Sequence, residues 1–339
     1  MKILKYVLLL LLILVIGVSI YIAVQPNSFE VTRTKTINAP QSVVYNNVID
    51  FKNWKAWNPW IEENPEMVVT LPEQTKGVGG SYSWEDEDGV GTMKTIATNP
   101  KSSITQEMQF EDMPKSDVNW EFKPNDDGTT DVTWTISGKD LPFGFKMFSA
   151  FMGGMEAQIG PHYERGLTLL DSVVQAEMKV YSINVQGVTQ HSGGYYLYNT
   201  TSCKFSDFEQ NMKTMLPEVG AYATTHNITM AGSPFILYHK WDEENDAVIF
   251  SCCIPTNSKV VTDDADILTG KLESFRTVKT VLKGNYSNLK EAWDTTMSYI
   301  ADHNLEMVEG GTMLETYITD PMGEPNPAKW ITEIYVEVE

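Results

Sequence analysis

The chain is poor in the residues that build reactive centres. It has three cysteines and five histidines in 339 residues. Cys203, Cys252 and Cys253 cannot make a disulfide framework. Cys252 and Cys253 are adjacent on a strand-like run and point to opposite faces, so they read as separate buried thiols. No C-x-x-C pair occurs and the histidines are scattered, which predicts no metal site and no cofactor. There is no G-x-S-x-G nucleophile turn, and Gly77-Val78-Gly79-Gly80 lies between strands, not before a helix, so it does not read as a phosphate loop. Basic residues are the other shortage: 25 Lys and Arg stand against 45 Asp and Glu, a net charge of −20. Every acidic residue lies beyond Gln25. So acidic a body repels phosphate backbones, which argues against nucleic acid as a partner. Nothing in the pattern identifies a protein partner.

What is abundant is apolar, 42% of the residues, enough for packed cores. The first concentration is Tyr6 to Val24, in which Ser19 is the only clearly polar residue. A helix needs about 20 such residues to cross a bilayer, whereas the core of a signal peptide has about 7–15. Tyr21-Ile22-Ala23 is a poor cleavage site and no cysteine is placed for lipidation. Residues 1–25 are therefore expected to be an uncleaved anchor that spans through residues 6–24, with a cleaved signal peptide as the alternative. Lys2 and Lys5 precede the run and Arg33 and Lys35 follow it, a small bias that favours a cytoplasmic N-terminus. The expectation is a single-pass protein of the cytoplasmic membrane with its soluble body outside the cytoplasm.

From Phe29 to Ile37 the residues alternate as a strand does. Ala39-Pro40-Gln41 opens a helix carrying Val43, Val44, Tyr45 and Val48. An aromatic cluster follows: Trp54, Trp57 and Trp60, with Asn58-Pro59 inside it. Strands then continue to Gly138, with Asp88-Gly89 and Asp127-Gly128 as hairpin turns. Val118, Trp120 and Phe122 share one face, and Val132, Trp134 and Ile136 share one on the next strand. Beyond Phe143 the pattern turns helical, with a firm helix expected from Pro161. Ala39-Pro40, Val43-Val44-Tyr45, Asp50-Phe51 and Trp57-Asn58-Pro59-Trp60 resemble the opening of the START-like, polyketide-cyclase-like (SRPBCC) superfamily, and Ile159 to Leu167 resembles its closing helix. The resemblance covers about residues 29–175. It implies a helix-grip fold around an apolar cavity for lipids or other hydrophobic molecules, with Trp54, Trp57, Trp60, Trp120 and Trp134 as core and cavity wall. It implies no catalytic residue.

Residues 176–339 repeat themselves, in copies of about 178–256 and 271–339. Phe205-Ser206-Asp207-Phe208 matches Tyr286-Ser287-Asn288-Leu289, and a helix follows each. His226-Asn227-Ile228-Thr229-Met230 matches His303-Asn304-Leu305-Glu306-Met307. The expected unit is strand, helix, strand, strand, used twice, with a cleft along the pseudo-two-fold axis. Both histidines read as helix-end residues, not ligands. Gly284 to Trp293 and Thr332-Glu333-Ile334-Tyr335-Val336 resemble the GyrI-like effector-binding domain, which also serves as the sensing half of some AraC- and MerR-type regulators. Glu337 departs from the Pro that members often carry, and no helix-turn-helix accompanies the domain here. The fold class is thus α+β: a transmembrane helix, a helix-grip domain and a duplicated β-α-β-β domain.

Parity selects the candidate site. On the last strand Thr332, Ile334, Val336 and Val338 fall on the face that packs under helices, which leaves Glu333 and Tyr335 for the cleft. Ser251 occupies the place of Glu333 in the first copy. Glu315 and Tyr317 share a face on the neighbouring strand, and Tyr238 matches Glu315. A carboxylate among aromatic rings suits a cationic or amphipathic ligand, and the resemblance assigns Glu333 to the acidic residue of the family's pocket. The alternative is a Glu on an edge strand in water. The function expected is binding or sensing of hydrophobic or amphipathic molecules, cations among them. A small-molecule hydrolase with Glu333 as general base is the competing reading. Each segment completes its own pattern, so residues 29–175 and 176–339, expressed apart, should each unfold in one cooperative transition; failure of both to do so would refute this division.

Overall fold

The structure is a computed structural model that describes residues 2–339. It begins with a helix, α1 (Lys2–Ala23). The stretch Ile3–Ala23 is long and apolar enough to cross a membrane. The chain then divides into two compact units, the first ending at Glu177 and the second beginning at Met178.

In the first unit, β1 (Ser28–Ile37) leads to α2 (Gln41–Ile49) and the short α3 (Pro59–Glu63). Six strands follow: β2 (Val68–Thr70), β3 (Ser81–Asp86), β4 (Gly89–Asn99), β5 (Ser103–Phe110), β6 (Ser116–Pro124) and β7 (Thr130–Lys139). The unit ends in α4 (Phe143–Phe151) and the long α5 (Gly154–Met178). The seven strands form one antiparallel sheet in the order β1-β7-β6-β5-β4-β3-β2. Alternation on β6 and β7 buries Val118, Trp120, Phe122, Val132, Trp134 and Ile136, as a sheet with one wet face requires. From α5, Tyr163, Leu167, Leu170 and Val174 are buried. Gly166 lets α5 come close to the sheet side: a Cβ there would lie 2.8 Å from Trp134 Cζ3 and 3.2 Å from Pro59 Cδ.

One local expectation fails. The closing helix does not begin at Pro161 but runs through it from Gly154. Pro161 removes one backbone donor, and ion pairs brace the turn around it. Arg33 Nη2 donates to Glu156 Oε1 at 2.5 Å and Arg33 Nε to Glu164 Oε1 at 2.6 Å. The guanidinium lies so close to Gly160 that a Cβ there would sit 2.3 Å from Arg33 Nη2.

The second unit contains β8 (Ser182–His191), β9 (Gly194–Cys203), α6 (Phe205–Thr225), β10 (Phe235–Asp242) and β11 (Ala247–Thr256). Its second copy contains β12 (Leu268–Leu272), β13 (Phe275–Lys283), α7 (Leu289–Asp302), β14 (Met313–Tyr317) and β15 (Ile331–Glu337). Each copy has one strand more than the repeat alone suggested, because the strand before the helix is preceded by another. Two residues separate β8 from β9 and two separate β12 from β13, so each pair reads in sequence as one interrupted run. The eight strands are ordered β12-β9-β11-β10-β14-β15-β13-β8. The copies therefore exchange their first strands: β8 pairs with β13, and β12 with β9.

This order forces curvature. β8 and β9 lie six places apart, about 29 Å in a flat sheet, yet Ser192 and Gly193 can bridge only about 11 Å. The sheet must curl until its ends meet. At the meeting point Ser274 Oγ donates to the His191 carbonyl at 2.9 Å. Gly193 has φ +68 there, and a Cβ on it would lie 2.3 Å from the Leu272 carbonyl oxygen. Inside the curl is a core of Tyr196, Phe235, Leu237, Cys253, Leu314 and Tyr335. The opposite face packs on the helices, with Val278, Ile334 and Val336 gathered against Ala292 and Ile300 of α7. Cys252 and Cys253 are buried, unlinked and in different core clusters.

The repeated His-Asn signature closes both helices alike. Asn227 and Asn304 take left-handed φ of 54 and 51. Ile228 N then reaches the Ala223 carbonyl at 2.8 Å and Leu305 N the Ile300 carbonyl at 3.0 Å, the bond that defines a Schellman end. His226 and His303 each donate Nδ1–H to the carbonyl four residues back at 2.9 Å.

The close approach at Gly166 can be tested. Gly166→Val should lower stability by about 1–3 kcal/mol through overpacking against Trp134. The denaturation midpoint should fall with an unchanged slope; an unaltered midpoint would show that α5 is not tightly seated there.

Candidate functional site

The first unit holds a cavity of about 250 Å³ between the sheet and α5. Trp54, Trp60, Trp134, Tyr82, Met93 and Tyr163 are among its lining residues. Trp57 and Trp120 form the layer behind: Trp54 and Trp57 are 4.7 Å apart by ring centroids, Trp120 and Trp134 4.3 Å. Trp134 is in turn stacked on Tyr163 at 3.7 Å. Asn58 caps α3 by accepting from Trp60 N at 3.0 Å, and its side chain also bonds the Tyr82 hydroxyl, whose pKa burial pushes well up. Asp86 and Asp88 are the acids on the lining. The container is aromatic, with few polar groups.

In the second unit the five residues singled out from sequence form two groups on opposite faces of the sheet. Glu333 and Tyr335 are on the inner, curled face. Tyr335 donates to Glu333 Oε2 at 2.5 Å, and Lys279 Nζ lies 2.8 Å from Glu333 Oε1. The same ammonium stands over the Tyr335 ring, 5.4 Å from its centroid. His191 meets Tyr335 edge to face at 4.9 Å and accepts from Gly193 N at Nδ1. Its pKa is lowered, first by burial and then by Lys279, against the pull of Glu333. Sequence reasoning found the carboxylate but missed its cation. Lys279 is one residue of an ordinary strand, and only the β13–β15 register sets it directly opposite Tyr335. In the first copy Ser251 holds the matching place, bonded to Thr200 Oγ1 and His239 Nε2, both at 2.7 Å.

Glu315, Tyr317 and Tyr238 form the other group, on the helix-bearing face where the two copies join. Ser251 pairs with Leu237 and Glu333 with Thr316, so the counterpart of Glu315 is Ile236, with which it pairs directly at the pseudo-axis. Tyr238 matches Tyr317, not Glu315 as the sequence suggested, and the two tyrosines flank the acid. Glu315 is buried, 3% exposed. Its Oε1 accepts from the Trp293 indole N–H and its Oε2 from the Tyr317 hydroxyl at 2.7 Å. Tyr238 also hydrogen-bonds it and meets Trp293 edge to face at 5.7 Å. Tyr286 is packed on Tyr317 at 5.3 Å. Among the described residues no Lys, Arg or His forms an ion pair with Glu315. Burial raises its pKa, opposed by the hydrogen bonds from Trp293, Tyr317 and Tyr238. Burial and the neighbouring carboxylate hold Tyr238 and Tyr317 well above the usual phenol range. Trp293 was visible within the sequence of α7, but its role depends on the fold. Glu337 accepts from Thr312 N at 2.6 Å. No group of three or more His, Cys, Asp or Glu able to hold a metal ion occurs among the described residues.

An apolar helix that fits either a membrane span or a signal sequence is followed by two domains of small-molecule-binding families. Residues 28–175 match the family described as polyketide cyclase / dehydrase and lipid transport, and residues 174–339 match the GyrI-like small molecule binding domain. The chain carries one domain of each family, in that order. No curated protein matches it. Among solved structures it is similar to the EcmrR C-terminal domain (19% identity, 47% of this chain and 98% of that one, TM-score 0.40). It is also similar to SAV2435 bound to tetraphenylphosphonium (14%, 46% and 94%, TM-score 0.34). A third is CV1439 from Chromobacterium violaceum (18%, 44% and 99%, TM-score 0.32).

The Lys279–Glu333 pair generates a thermodynamic test. Lys279→Met strands a half-buried carboxylate and should cost about 1–3 kcal/mol. Adding Glu333→Gln should recover a good part of that loss. A double-mutant cycle with no coupling would show that the pair is merely solvated.

Proposed function

We propose that this chain is a membrane-anchored binding or sensing protein for hydrophobic or amphipathic small molecules, cations among them, with no DNA-binding module. The observation that carries the reading is Glu315: a buried carboxylate held by aromatic donors with no cation of its own. A desolvated anion inside rings is costly to leave unpaired, and a lipophilic cation supplies both the missing charge and apolar area. Glu333 is less suited to that task because Lys279 already neutralises it. The aromatic cavity of the first unit suits a neutral, apolar guest or the apolar part of one. The charge bias about α1 supports an N-terminus inside the cell and domains outside the cytoplasm.

A second reading, a small-molecule hydrolase, draws on the inner group. Glu333, the Tyr335 hydroxyl, Lys279 and His191 place a carboxylate, a phenol, an amine and an imidazole in one patch, the groups that acid–base catalysis uses.

Titration with a lipophilic cation such as tetraphenylphosphonium separates the readings. Glu315→Gln keeps the shape and should weaken binding by about 1.5–3 kcal/mol, about 10- to 150-fold. Because the Glu315 pKa is raised, the carboxyl is neutral below it and its attraction for a cation is lost there. Affinity should therefore rise with pH through a window above the ordinary carboxylate range, and Glu315→Gln should flatten that dependence. Glu333→Gln should change binding much less. Equal affinities for wild type and Glu315→Gln would refute the cation site. Turnover of a bound compound, abolished by Glu333→Gln with binding intact, would favour the hydrolase.

A further inference from the structure

We infer that α4 is a membrane-interface helix, lying in the headgroup layer beside the anchor; this rests on reading α1 as a membrane span. The sequence of α4 is FGFKMFSAF, with Lys146 its only charge and no buried residue. At 100° per residue, Phe143, Met147, Phe148 and Phe151 fall within one side of the helix. All four are exposed, Phe148 by 49% and Phe151 by 68%. Met152, which ends the helix, is exposed too. The other side is the one attached to the domain, where Phe145 stacks on Phe29 of β1 at 5.8 Å. So concentrated an apolar face on an otherwise ordinary surface needs a cover.

The position of α4 identifies that cover. It packs against α1. Most of α1 is exposed along its length, but Val18 and Ser19 are half-buried and Ile22 is buried. These three positions lie on one side of the last turns. Val18 is six residues short of the end of the apolar run, about 9 Å along a helix. An interfacial helix buries its apolar face about 5–10 Å deep, so α4 stands at the depth such a helix occupies. Two bonds fix it there. Leu141 N donates to the Asn27 carbonyl at 3.4 Å, and Asn27 Nδ2 to Asp140 Oδ1 at 3.4 Å. Asn27 belongs to the four-residue link between α1 and β1, which spans at most about 18 Å. The segment leading into α4 is thereby tied to the point where the chain leaves the bilayer. Lys146 on α4 and Lys139, which pairs with Ser28 at the start of β1, can meet anionic headgroups. A phenylalanine- and methionine-rich face flanked by lysine is the composition that lies in an interface and does not cross it.

The arrangement has a consequence for the first domain. α4 leads directly into α5, whose Ile159 and Tyr163 line the cavity. A helix embedded in the headgroups would hold that end of α5 at the membrane surface, where an amphipathic guest is concentrated.

The test uses the full-length chain in lipid nanodiscs containing phosphatidylcholine and phosphatidylglycerol. A photoreactive phenylalanine analogue is placed at Leu10, at Phe148 or at Val78, an exposed residue on a loop of the first domain, and adducts are read by mass spectrometry. Lipid adducts at Leu10 and Phe148, with none at Val78, are expected. Lipid at Leu10 with none at Phe148 would overturn the role of α4 while leaving the anchor in place. Protein–protein adducts at Phe148 in place of lipid would assign the face to a second copy and overturn the proposal as well. Absence of lipid at both Leu10 and Phe148 would remove the anchor and this inference together. In the supporting case, Phe148→Ser combined with Phe151→Ser should abolish lipid labelling from an analogue at Met147 and leave labelling at Leu10 unchanged.

Discussion

The second unit depends on the exchange of first strands between its two copies. β8 completes the edge of the second copy and β12 that of the first, so neither copy can close its sheet alone. The crossing at Ser192-Gly193 is short, and Gly193 sits where a side chain would strike the Leu272 and Glu273 backbone. From this one constraint follow the curled sheet, the aromatic core inside it and the placement of both helices on the outer face. It also sets β10 beside β14 at the pseudo-axis, which is why Tyr238 of the first copy and its counterpart Tyr317 of the second both reach Glu315.

Pseudo-symmetry accounts for scaffolding and its breakdown accounts for chemistry. The Schellman ends at Asn227 and Asn304 are the same device used twice. Where the copies differ, polar groups enter the interior: Glu315 in place of Ile236, and Glu333 in place of Ser251. Each acid is handled differently. Glu333 receives Lys279 and a phenol. Glu315 receives an indole and two phenols, all neutral donors. A buried carboxylate with donors but no counter-charge is held in place without being neutralised, the condition in which a guest cation makes the largest difference.

The first unit contrasts with this. Its cavity is walled by stacked and edge-on indoles that derive from a short aromatic stretch, Trp54 to Trp60, and from two adjacent strands. Few polar groups reach it. The two domains differ in their interiors, one holding a mainly aromatic cavity and the other a buried acid.

Much of the organisation was determined by the sequence alone, because it is carried by local periodicity. The apolar run, the alternation of Val118, Trp120 and Phe122, the repeated His-Asn ends and the helix-facing set Ile334, Val336 and Val338 are legible one residue at a time. Parity also separated Glu333 from that set. What only the tertiary structure decided is which face other strands bring to these residues. Lys279 and Glu333 are 54 positions apart in the chain and meet through the β13–β15 register. Trp293 and Glu315 meet because α7 packs on the helix-bearing face of the second copy's strands, the face that Glu315 shares with Ile334. The two acids, each beside a tyrosine on a neighbouring strand, look equivalent in sequence. They lie on opposite faces of the sheet because β14 and β15 pair with Glu315 opposite Ile334 and Glu333 opposite Thr316, and residues directly opposite share a face.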